Sequence, residues 1–484
     1  MLGFIKRLAR RIAQAAEVER CQIEDHVLVE IEDFLSKETK TLRRILFKDV
    51  RVIETFLSKE AHSGLLLFAA ALIAMIWANS PWSDSYFDLW HTSATLSIGD
   101  HNMEMGLGHW VNDALMALFF LVVGLEIKRE LVVGELSSLR HATFPIVGAL
   151  GGMLIPALFY ILINLQGDGQ VKGFGIPMAT DIAFALGCLM ILGNRVPLSL
   201  KIFLTSLAVF DDLGAIVVIA IFYNASIDWA ALGYAAIILA TLVMVNRLGV
   251  KALWSYLVLG IVLWFWVRES GIHATIAGVL LAMTVPVRAR LNSDRFLHIC
   301  RHELKSFEKA GFSSETMLLN PKQQDSLEML KHAYDAVQNP LVRLERALHP
   351  ISAFLVMPLF ALANAGVEIS GIGDSPVNPV TLGIVAGLAF GKPLGIFGAT
   401  YLADRLGWAQ KPEGLPWRII LGGALLGGVG FTMSIFVTQL GLEADAIGAA
   451  KLFILASSLV MGTIGTVYLL RTVRCEQPST PPGH

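Results

Sequence analysis

The 484-residue chain is 55% hydrophobic and only 16% charged, with a formal net charge of −2 and four scattered cysteines. Since soluble domains carry about 25% charged residues, this composition excludes an ordinary soluble enzyme, a disordered scaffold and a secreted disulfide module, and the net charge does not suggest nucleic-acid binding. The composition predicts a polytopic membrane protein.

Residues 1–58 are predicted to form a cytoplasmic extension before the first apolar run. They begin with a basic amphipathic stretch in which Phe4, Ile5 and Leu8 are set against lysine and arginine residues. Such a stretch is typical of a helix on an anionic membrane leaflet, and equally of a solvated helix that packs on its own loops. The sequence leaves both interpretations open.

About twelve apolar runs follow, each close to the roughly 20 residues that a helix needs to cross a bilayer. They cover residues 62–79, 107–127, 143–165, 174–193, 198–223, 229–246, 251–267, 272–287, 345–367, 380–403, 417–439 and 446–470. These runs predict an all-α membrane domain of about twelve helices over residues 59–471, followed by a short cytoplasmic tail, 472–484.

Lysine and arginine residues are concentrated in alternate short loops, which predicts that those loops face the cytoplasm. The rich loops contain Lys128, Arg129, Arg140, Arg195, Arg247, Arg405, Lys411, Arg418, Arg471 and Arg474. The opposite loops add only Lys172 and Arg268. With an even number of spans, both termini are expected in the cytoplasm.

Two polar segments interrupt the apolar pattern. The outer connection, 83–106, alternates apolar and polar residues on either side of Gly99-Asp100, which predicts a β-hairpin. Since an isolated hairpin is marginally stable in water, we expect it to pack on the protein's own helices or to form a dimer contact. The second segment, 288–340, is charged and is expected to be a partly helical cytoplasmic insert.

Five ionisable residues lie well inside the apolar runs: Asp113, Asp181, Asp211, Asp212 and Lys392. Each costs about 2.5–3.5 kcal/mol on insertion scales, and such residues commonly mark functional sites. Asp113 lies nearer the outer end of its run, where an entrance could wet it, so a structural and a functional role are equally open. One lysine cannot neutralise the other three carboxylates, which favours function.

Asp211 and Asp212 are adjacent near the middle of one run. On a helix their side chains point about 100° apart, so the two carboxylates are expected to face different neighbours. Lys392 lies at the centre of another run, too deep to reach the interface, and one of these aspartates is its expected counter-ion.

Two runs are expected to break near mid-membrane. Gly173, Gly175 and Pro177 precede Asp181 in the first, and glycines between positions 422 and 430 interrupt the second, where close helix packing is an equal alternative. The interrupted runs are the middle members of two three-span groups with opposite topology. Paired interruptions in inverted repeats indicate a transporter site.

Small hard cations prefer carboxylates, hydroxyls and backbone carbonyls as ligands, and protons bind the same carboxylates. A site with two exchangeable carboxylates therefore binds a cation or protons in turn, which gives exchange without a chemical step. The sequence contains no phosphate-binding loop, nucleophile elbow or metal triad, so we predict neither an enzyme nor a cofactor.

Five motifs closely resemble the NhaA family of bacterial Na+/H+ antiporters. They are Gly124-Leu125-Glu126-Ile127-Lys128-Arg129-Glu130-Leu131, Ala179-Thr180-Asp181-Ile182-Ala183-Phe184-Ala185-Leu186-Gly187, Asp211-Asp212-Leu213-Gly214-Ala215-Ile216, Gly391-Lys392-Pro393-Leu394-Gly395 and Gly430-Phe431-Thr432-Met433-Ser434-Ile435. The resemblance runs from about residue 62 to 471. It implies twelve helices with two unwound crossing helices, an outer hairpin at 83–106 that forms a homodimer, and a place in the bacterial inner membrane.

The resemblance also implies roles for the deep charges. Asp212, Asp181 and Thr180 would bind the transported Na+ or Li+, while Asp211 would pair with Lys392 and take part in proton exchange. Because the family exchanges two protons for one cation, transport would be electrogenic and would serve sodium and pH homeostasis.

A further set of residues matches the cytoplasmic funnel through which the family is activated by pH: Glu126, Arg129, Glu130, Glu345 and His349. Arg346 stands where a histidine is common. If Arg346 attracts Glu345 or Glu126, alkaline activation is expected to be shallower or displaced. The alternative is that all these residues are solvated charges at loop ends.

Two other functions are retained as alternatives, an intramembrane aspartyl protease and a passive cation channel. Such a protease needs two aspartates that face each other with one proton between them, and it has no use for a deep lysine. A channel is disfavoured by buried carboxylates that compete for protons and by the lack of a repeated filter sequence.

Overall fold

The structure is a computed structural model that describes residues 63–98, 101–132, 134, 139–165, 169–224, 227–287, 291–310, 321–369, 377–412 and 414–476. Almost all of these residues are helical. The predicted extension at 1–58, with its amphipathic start, lies outside the described residues.

Helices occupy every predicted apolar run. In chain order they are α1 Ser63–Ala78, α2 Ser83–His91, α3 Leu107–Val132, α4 Leu139–Asn164, a 3-10 segment Val171–Met178, α5 Ile182–Ile191, α6 Leu198–Phe222, α7 Trp229–Arg247, α8 Leu253–Glu269, α9 Thr275–Thr284, α10 Ser293–Lys309, α11 Pro321–Val337, α12 Pro340–Asn364, α13 Pro379–Arg405, α14 Trp417–Gly427, α15 Phe431–Gly441 and α16 Ala444–Glu476. Because α16 continues to Glu476, the predicted tail at 472–484 begins within a helix.

The predicted membrane class is confirmed by the length and hydropathy of these helices. Within the described ranges, 7 helices are long and apolar enough to cross a membrane, or up to 9 spans if each of two bent pairs counts as one. The bent pairs are α1 with α2, at 114°, and α14 with α15, at 45°. Helix α9, by contrast, has only 10 residues.

Polar side chains hold several helix ends. The Lys128 ammonium donates to the carbonyl oxygens of Met283 and Val285, each at 2.6 Å, and so satisfies the C-terminal end of α9. At the start of α13, Asn378 and Thr381 form a reciprocal capping box. Together these contacts satisfy backbone groups that would otherwise be costly in an apolar surrounding.

Helices α4 and α13 cross with their backbones in contact. A side chain at Gly151 would collide with the carbonyl of Gly395, and a side chain at Gly395 would collide with the carbonyl of Gly151. Small residues permit this close approach of helices in membranes. The crossing lies one turn from Lys392 and therefore fixes the position of that lysine.

Within the part of the chain that the structure describes, three π-helical turns interrupt the long helices. They are Val111–Leu115 in α3, Ser352–Val356 in α12 and Gly387–Gly391 in α13. Such turns often occur at functional sites. The first contains Asp113 and the third ends immediately before Lys392.

The predicted outer hairpin is present, although it is shorter than the segment 83–106. Strands β1 Ser93–Ile98 and β2 His101–Gly106 pair antiparallel with Ala94 opposite Met105, whereas residues 83–91 form helix α2. The Trp110 indole N–H donates to the Ala94 carbonyl at 3.3 Å, so the hairpin contacts α3 of its own chain. The predicted insert at 288–340 is helical in part, as expected, because it contains α10 and α11. These two helices pack against each other.

Candidate functional site

Both predicted breaks are present, and the two interrupted segments touch where they break. The 3-10 segment ends at Met178 and α5 begins at Ile182, while α14 ends at Gly427 and α15 begins at Phe431. The backbone N–H of Asp181 donates to the carbonyl of Val429 at 2.8 Å. The non-helical residues of one break are therefore tied to those of the other.

Asp181 binds the N-terminal ends of the helices that follow both breaks. One carboxylate oxygen accepts the Phe184 N–H of α5 at 2.9 Å, and the other accepts the Thr432 N–H of α15 at 3.2 Å and the Thr432 hydroxyl. Helix N-termini carry partial positive charge and unpaired N–H groups. A single buried carboxylate thus satisfies two such ends at once.

The carbonyls at the other ends of the breaks also have side-chain donors. The Lys392 ammonium donates to the Met178 carbonyl, and the Ser434 hydroxyl donates to the Ile176 carbonyl at 2.8 Å. The Thr180 hydroxyl lies 3.3 Å from the Gly427 carbonyl. Each broken segment therefore depends on side chains of another segment to satisfy its backbone.

The second break places one residue in an uncommon conformation. Phe431 has a φ of 22°, which non-glycine residues seldom adopt. Its backbone N–H donates to the buried Ser458 hydroxyl of α16 at 3.0 Å. Conformations of this kind cost of order 1–3 kcal/mol and tend to occur at functional sites.

Asp211 and Lys392 form a fully buried ion pair. The ammonium lies 3.2 Å from Asp211 Oδ2, and both side chains are 0% exposed. The same oxygen accepts the Thr180 hydroxyl at 2.5 Å, while Oδ1 lies buried with no hydrogen-bond partner among the residues that the structure describes. The threonine hydroxyl thus donates to Asp211, the aspartate that faces the break.

Asp212 faces a different surrounding from its neighbour. It lines a cavity of about 90 Å³ together with Thr180 and Asp181, which brings the three expected cation ligands to one space. Among the described residues, the Asp212 carboxylate has no hydrogen-bond or ion-pair partner. The cavity volume is enough for several waters, each of which needs about 10–15 Å³.

The cavity continues to a second set of charges, and Glu126 and His349 form part of its lining. Arg129 lies among three carboxylates, at 3.9 Å from Glu126, 2.8 Å from Glu130 and 2.5 Å from Glu345. We call Asp181, Asp211, Asp212 and Lys392 the central group, and Glu126, Arg129, Glu130 and Glu345 the mouth group. Arg346 is exposed on α12, and Glu345 forms an ion pair with Arg129.

On the other side of Asp212, apolar side chains close the path. The space there, which Thr275 also borders, is too small for a water, and Phe120, Ile216, Ile219 and Val279 pack around it, with the Phe120 ring 5.6 Å from the Phe436 ring of α15. We call these residues the plug. The central group is thus open toward the mouth group and closed at the plug.

Asp113 lies apart from the central group. Its carboxylate is 3.4 Å from the Arg268 guanidinium, and both side chains are about one-quarter exposed, at 24% and 26%. Arg268, which from the sequence was only one of the few basic residues in the opposite loops, is therefore a direct charged partner of Asp113.

Sequence reasoning missed several residues that the geometry brings to the site. The Thr432 hydroxyl binds Asp181, and the Ser434 hydroxyl binds the Ile176 carbonyl. The sequence also did not show that Arg129 is the common ion-pair partner of the carboxylates in the mouth group. A signal was available for the two hydroxyls, because they follow directly after the glycine run at 427–430. Free backbone groups at a break require such donors and acceptors nearby.

Comparison with known proteins gives concordant matches. The family model described as Na+/H+ antiporter 1 matches residues 54–469. The chain is 50% identical over 422 residues to a protein of Wolinella succinogenes named Na(+)/H(+) antiporter NhaA, covering 87% of this chain and 93% of that protein. A protein of the same name from Helicobacter pylori strain G27 is 47% identical over 420 residues, covering 86% and 94%.

Among solved structures, a sodium proton antiporter of Methanocaldococcus jannaschii, at pH 8, matches with a TM-score of 0.44 and 13% sequence identity, over 87% of this chain and 96% of that chain.

Proposed function

The chain belongs to the Na+/H+ antiporter 1 family, and we propose that it exchanges Na+ or Li+ for protons across the bacterial inner membrane as a secondary transporter. No resident cofactor is required, because the cation and the protons are themselves the substrates.

The observation that carries this proposal is the unequal treatment of two adjacent aspartates. Asp211 is paired with Lys392, whereas Asp212 faces the cavity. An unpaired carboxylate in a buried cavity is costly, and it is stabilised by a bound cation or a bound proton. These two ligands use the same oxygens, so the arrival of one displaces the other.

The neighbouring groups define how such a cation would be held. Asp181 also lines the cavity, but its carboxylate already accepts hydrogen bonds from Phe184 and Thr432. We therefore assign the principal charge to Asp212, with Asp181 and the Thr180 oxygen as weaker ligands that also join the two breaks. A cation bound there would contact Asp181, which is hydrogen-bonded to both broken segments, and would therefore affect how those segments pack.

Proton coupling would use both aspartates. One proton would exchange at Asp212 in competition with the cation, and a second would exchange within the Asp211–Lys392 pair, whose two members titrate jointly. Two protons for one cation would move net charge, so transport would be electrogenic. The mouth group and His349, which border the path to the cavity, would adjust the rate with pH.

We further propose that the mouth group faces the cytoplasm, because the loops at that end are rich in lysine and arginine. Both termini would then be cytoplasmic. The hairpin β1–β2 would join two copies of the chain on the opposite face.

The direct experiment measures pH changes in everted membrane vesicles on addition of Na+, then Li+, then K+. We expect proton release from the vesicle interior with Na+ and Li+ and no response with K+. The Asp212→Asn variant, present at the same level in the same vesicles, should give no response to any of them. Equal responses of the variant and the wild type would refute the assignment of Asp212.

Purified protein in proteoliposomes separates the alternatives. Cleavage of a membrane peptide would indicate a protease, and a cation leak that does not depend on a counter-flow of protons would indicate a channel. Proton movement driven by a cation gradient alone, and cation movement driven by a pH gradient alone, would support the antiporter.

A further inference from the structure

A second polar region lies beyond the plug. Along α3, Asp113 comes before Phe120, which belongs to the plug, and Phe120 comes before Glu126 at the mouth of the cavity. Since a helix rises 1.5 Å per residue, Asp113 lies about 10 Å from the plug, on the side away from the cavity. The carboxylate is thus separated from Asp212 by packed apolar side chains.

Arg268 joins three elements at this point. Its Nε lies 3.4 Å from Asp113 Oδ2, and its Nη1 lies 3.0 Å from the Glu269 carboxylate of its own helix. Its Nη2 lies 2.8 Å from the Met105 sulfur of strand β2. The guanidinium is therefore held in place by more than its contact with Asp113.

Polar side chains continue from this pair toward the plug. The Asn364 amide donates to Asn112 at 2.8 Å, and the Gln439 amide of α15 donates in turn to Asn364. The His273 ring, hydrogen-bonded to Thr275 at 2.9 Å, lies 5.4 Å from the Phe436 ring.

Amides and an imidazole inside a membrane domain are costly, and in such domains polar residues commonly mark a path for ions and water. These groups belong to α3, α12, α15 and the start of α9, and one of them contacts the aromatic ring that closes the plug. They have the composition of a passage that is collapsed in this conformation.

We propose that Asp113 is the first carboxylate that a cation meets on this face, and that Arg268 occupies it while the cavity at Asp212 is open to the other face. The inference rests on the proposed antiport function and adds a gate to it. The guanidinium occupies Asp113 Oδ2 and offsets the negative charge that a cation would meet there, so the two compete for this carboxylate. The arginine therefore acts as a tethered competitor of the transported ion on one face only.

The test compares the two faces of the membrane. In right-side-out and everted vesicles that contain the full-length protein, the apparent KM for Na+ is measured for wild type and for Arg268→Gln. On the Asp113 face we expect the KM to fall roughly two- to fivefold, the range for removal of a partly exposed ion pair. On the face of the cavity mouth the KM should stay unchanged, which a general structural defect would not produce.

Glu269→Gln is the matched control, because it removes a carboxylate from the same guanidinium and leaves the Asp113 contact in place. It should leave both KM values unchanged. Asp113→Asn should raise the KM on its own face alone. Should Arg268→Gln fail to fold, Arg268→Lys keeps the charge and should preserve the wild-type difference between faces, whereas Arg268→Leu should remove it.

The outcomes separate the two proposals. Absence of any sodium–proton exchange by the wild type would overturn the proposed function itself. Normal exchange by Arg268→Gln with both KM values unaltered, or with both altered equally, would overturn the gate alone.

Discussion

The central group and the mouth group each combine three carboxylates with one basic side chain, yet they are built differently. In the mouth group, Arg129 is within 3.9 Å of all three of its carboxylates and is 29% exposed. In the central group, Lys392 is fully buried, and Asp211 is the one carboxylate of the group with which it forms an ion pair. Neutral donors serve Asp181, and Asp212 faces the cavity.

This difference shows how one composition serves two purposes. A guanidinium presents several donors in a planar fork and so binds several carboxylates, which leaves no vacancy for an incoming cation. An ammonium is a compact charge, and here its remaining donor capacity is directed to the Met178 carbonyl. The central group therefore retains one carboxylate for a ligand, whereas every carboxylate of the mouth group lies within 3.9 Å of the same guanidinium.

The largest expected effect comes from removing the carboxylate that lacks a partner. Asp212→Asn should abolish Li+ binding, because an amide cannot supply the negative charge that a dehydrated cation needs. Isothermal titration of purified protein with Li+ measures this, and size-exclusion chromatography checks that the variant is folded. If the folded variant bound Li+ as tightly as the wild type, the central group would not differ from the mouth group in holding a carboxylate for the cation.

The next effect concerns stability. Lys392→Ala leaves Asp211 buried without its counter-ion and should lower the free energy of unfolding by about 3–5 kcal/mol, as for other broken buried pairs. Thermal unfolding in detergent measures the loss. The double variant Asp211→Asn with Lys392→Gln should recover most of it and should make transport less sensitive to voltage. A double variant as unstable as the single one would argue that the Met178 contact, not the ion pair, is the stabilising element.

A smaller loss is expected in the mouth group. Arg129→Gln removes charge-assisted hydrogen bonds from a partly exposed site and should cost about 1–3 kcal/mol, while Li+ affinity at saturating alkaline pH stays near the wild-type value. The pH–rate profile should be displaced, because three carboxylates lose their common partner. Arg343→Gln on α12, which removes only a 3.9 Å pair with Asp335, is the control and should leave the profile in place.

The smallest effect is expected at Arg346. The structure pairs Glu345 and Glu126 with Arg129, so Arg346→His should displace the pH–rate profile less than Arg129→Gln does. Rates across a pH series at saturating Na+ measure both variants. A larger displacement for Arg346→His would mean that the exposed arginine, and not the centre of the mouth group, sets the pH response.

Much of the fold could be predicted because the bilayer imposes a strong pattern on the sequence. The apolar runs locate the helices, and Gly-Pro and Gly-Gly clusters locate the two breaks. The hairpin follows from alternation around Gly99-Asp100, although the helical character of 83–91 was missed, since that amphipathic segment resembles a loop.

The site was predictable in its charges but less so in its contacts. Burial of a carboxylate is costly enough to be visible in a sequence, so all four members of the central group were found. Hydrogen-bond partners are set by the crossing of distant segments, and periodicity does not report which aspartate Thr180 meets or that Thr432 binds Asp181. The Arg268–Asp113 contact joins residues 155 positions apart and was invisible for the same reason.

The plug has a consequence for membrane voltage. Because the cavity that reaches Asp212 has room for several waters, it would bring the electrical potential of one solution to that carboxylate, and most of the transmembrane potential would then fall across the packed side chains around Phe120 and Phe436. Moving one elementary charge through 100 mV changes its energy by about 2.3 kcal/mol. A thin dielectric of a few aromatic rings therefore concentrates the driving force at the place where access to the site must change sides.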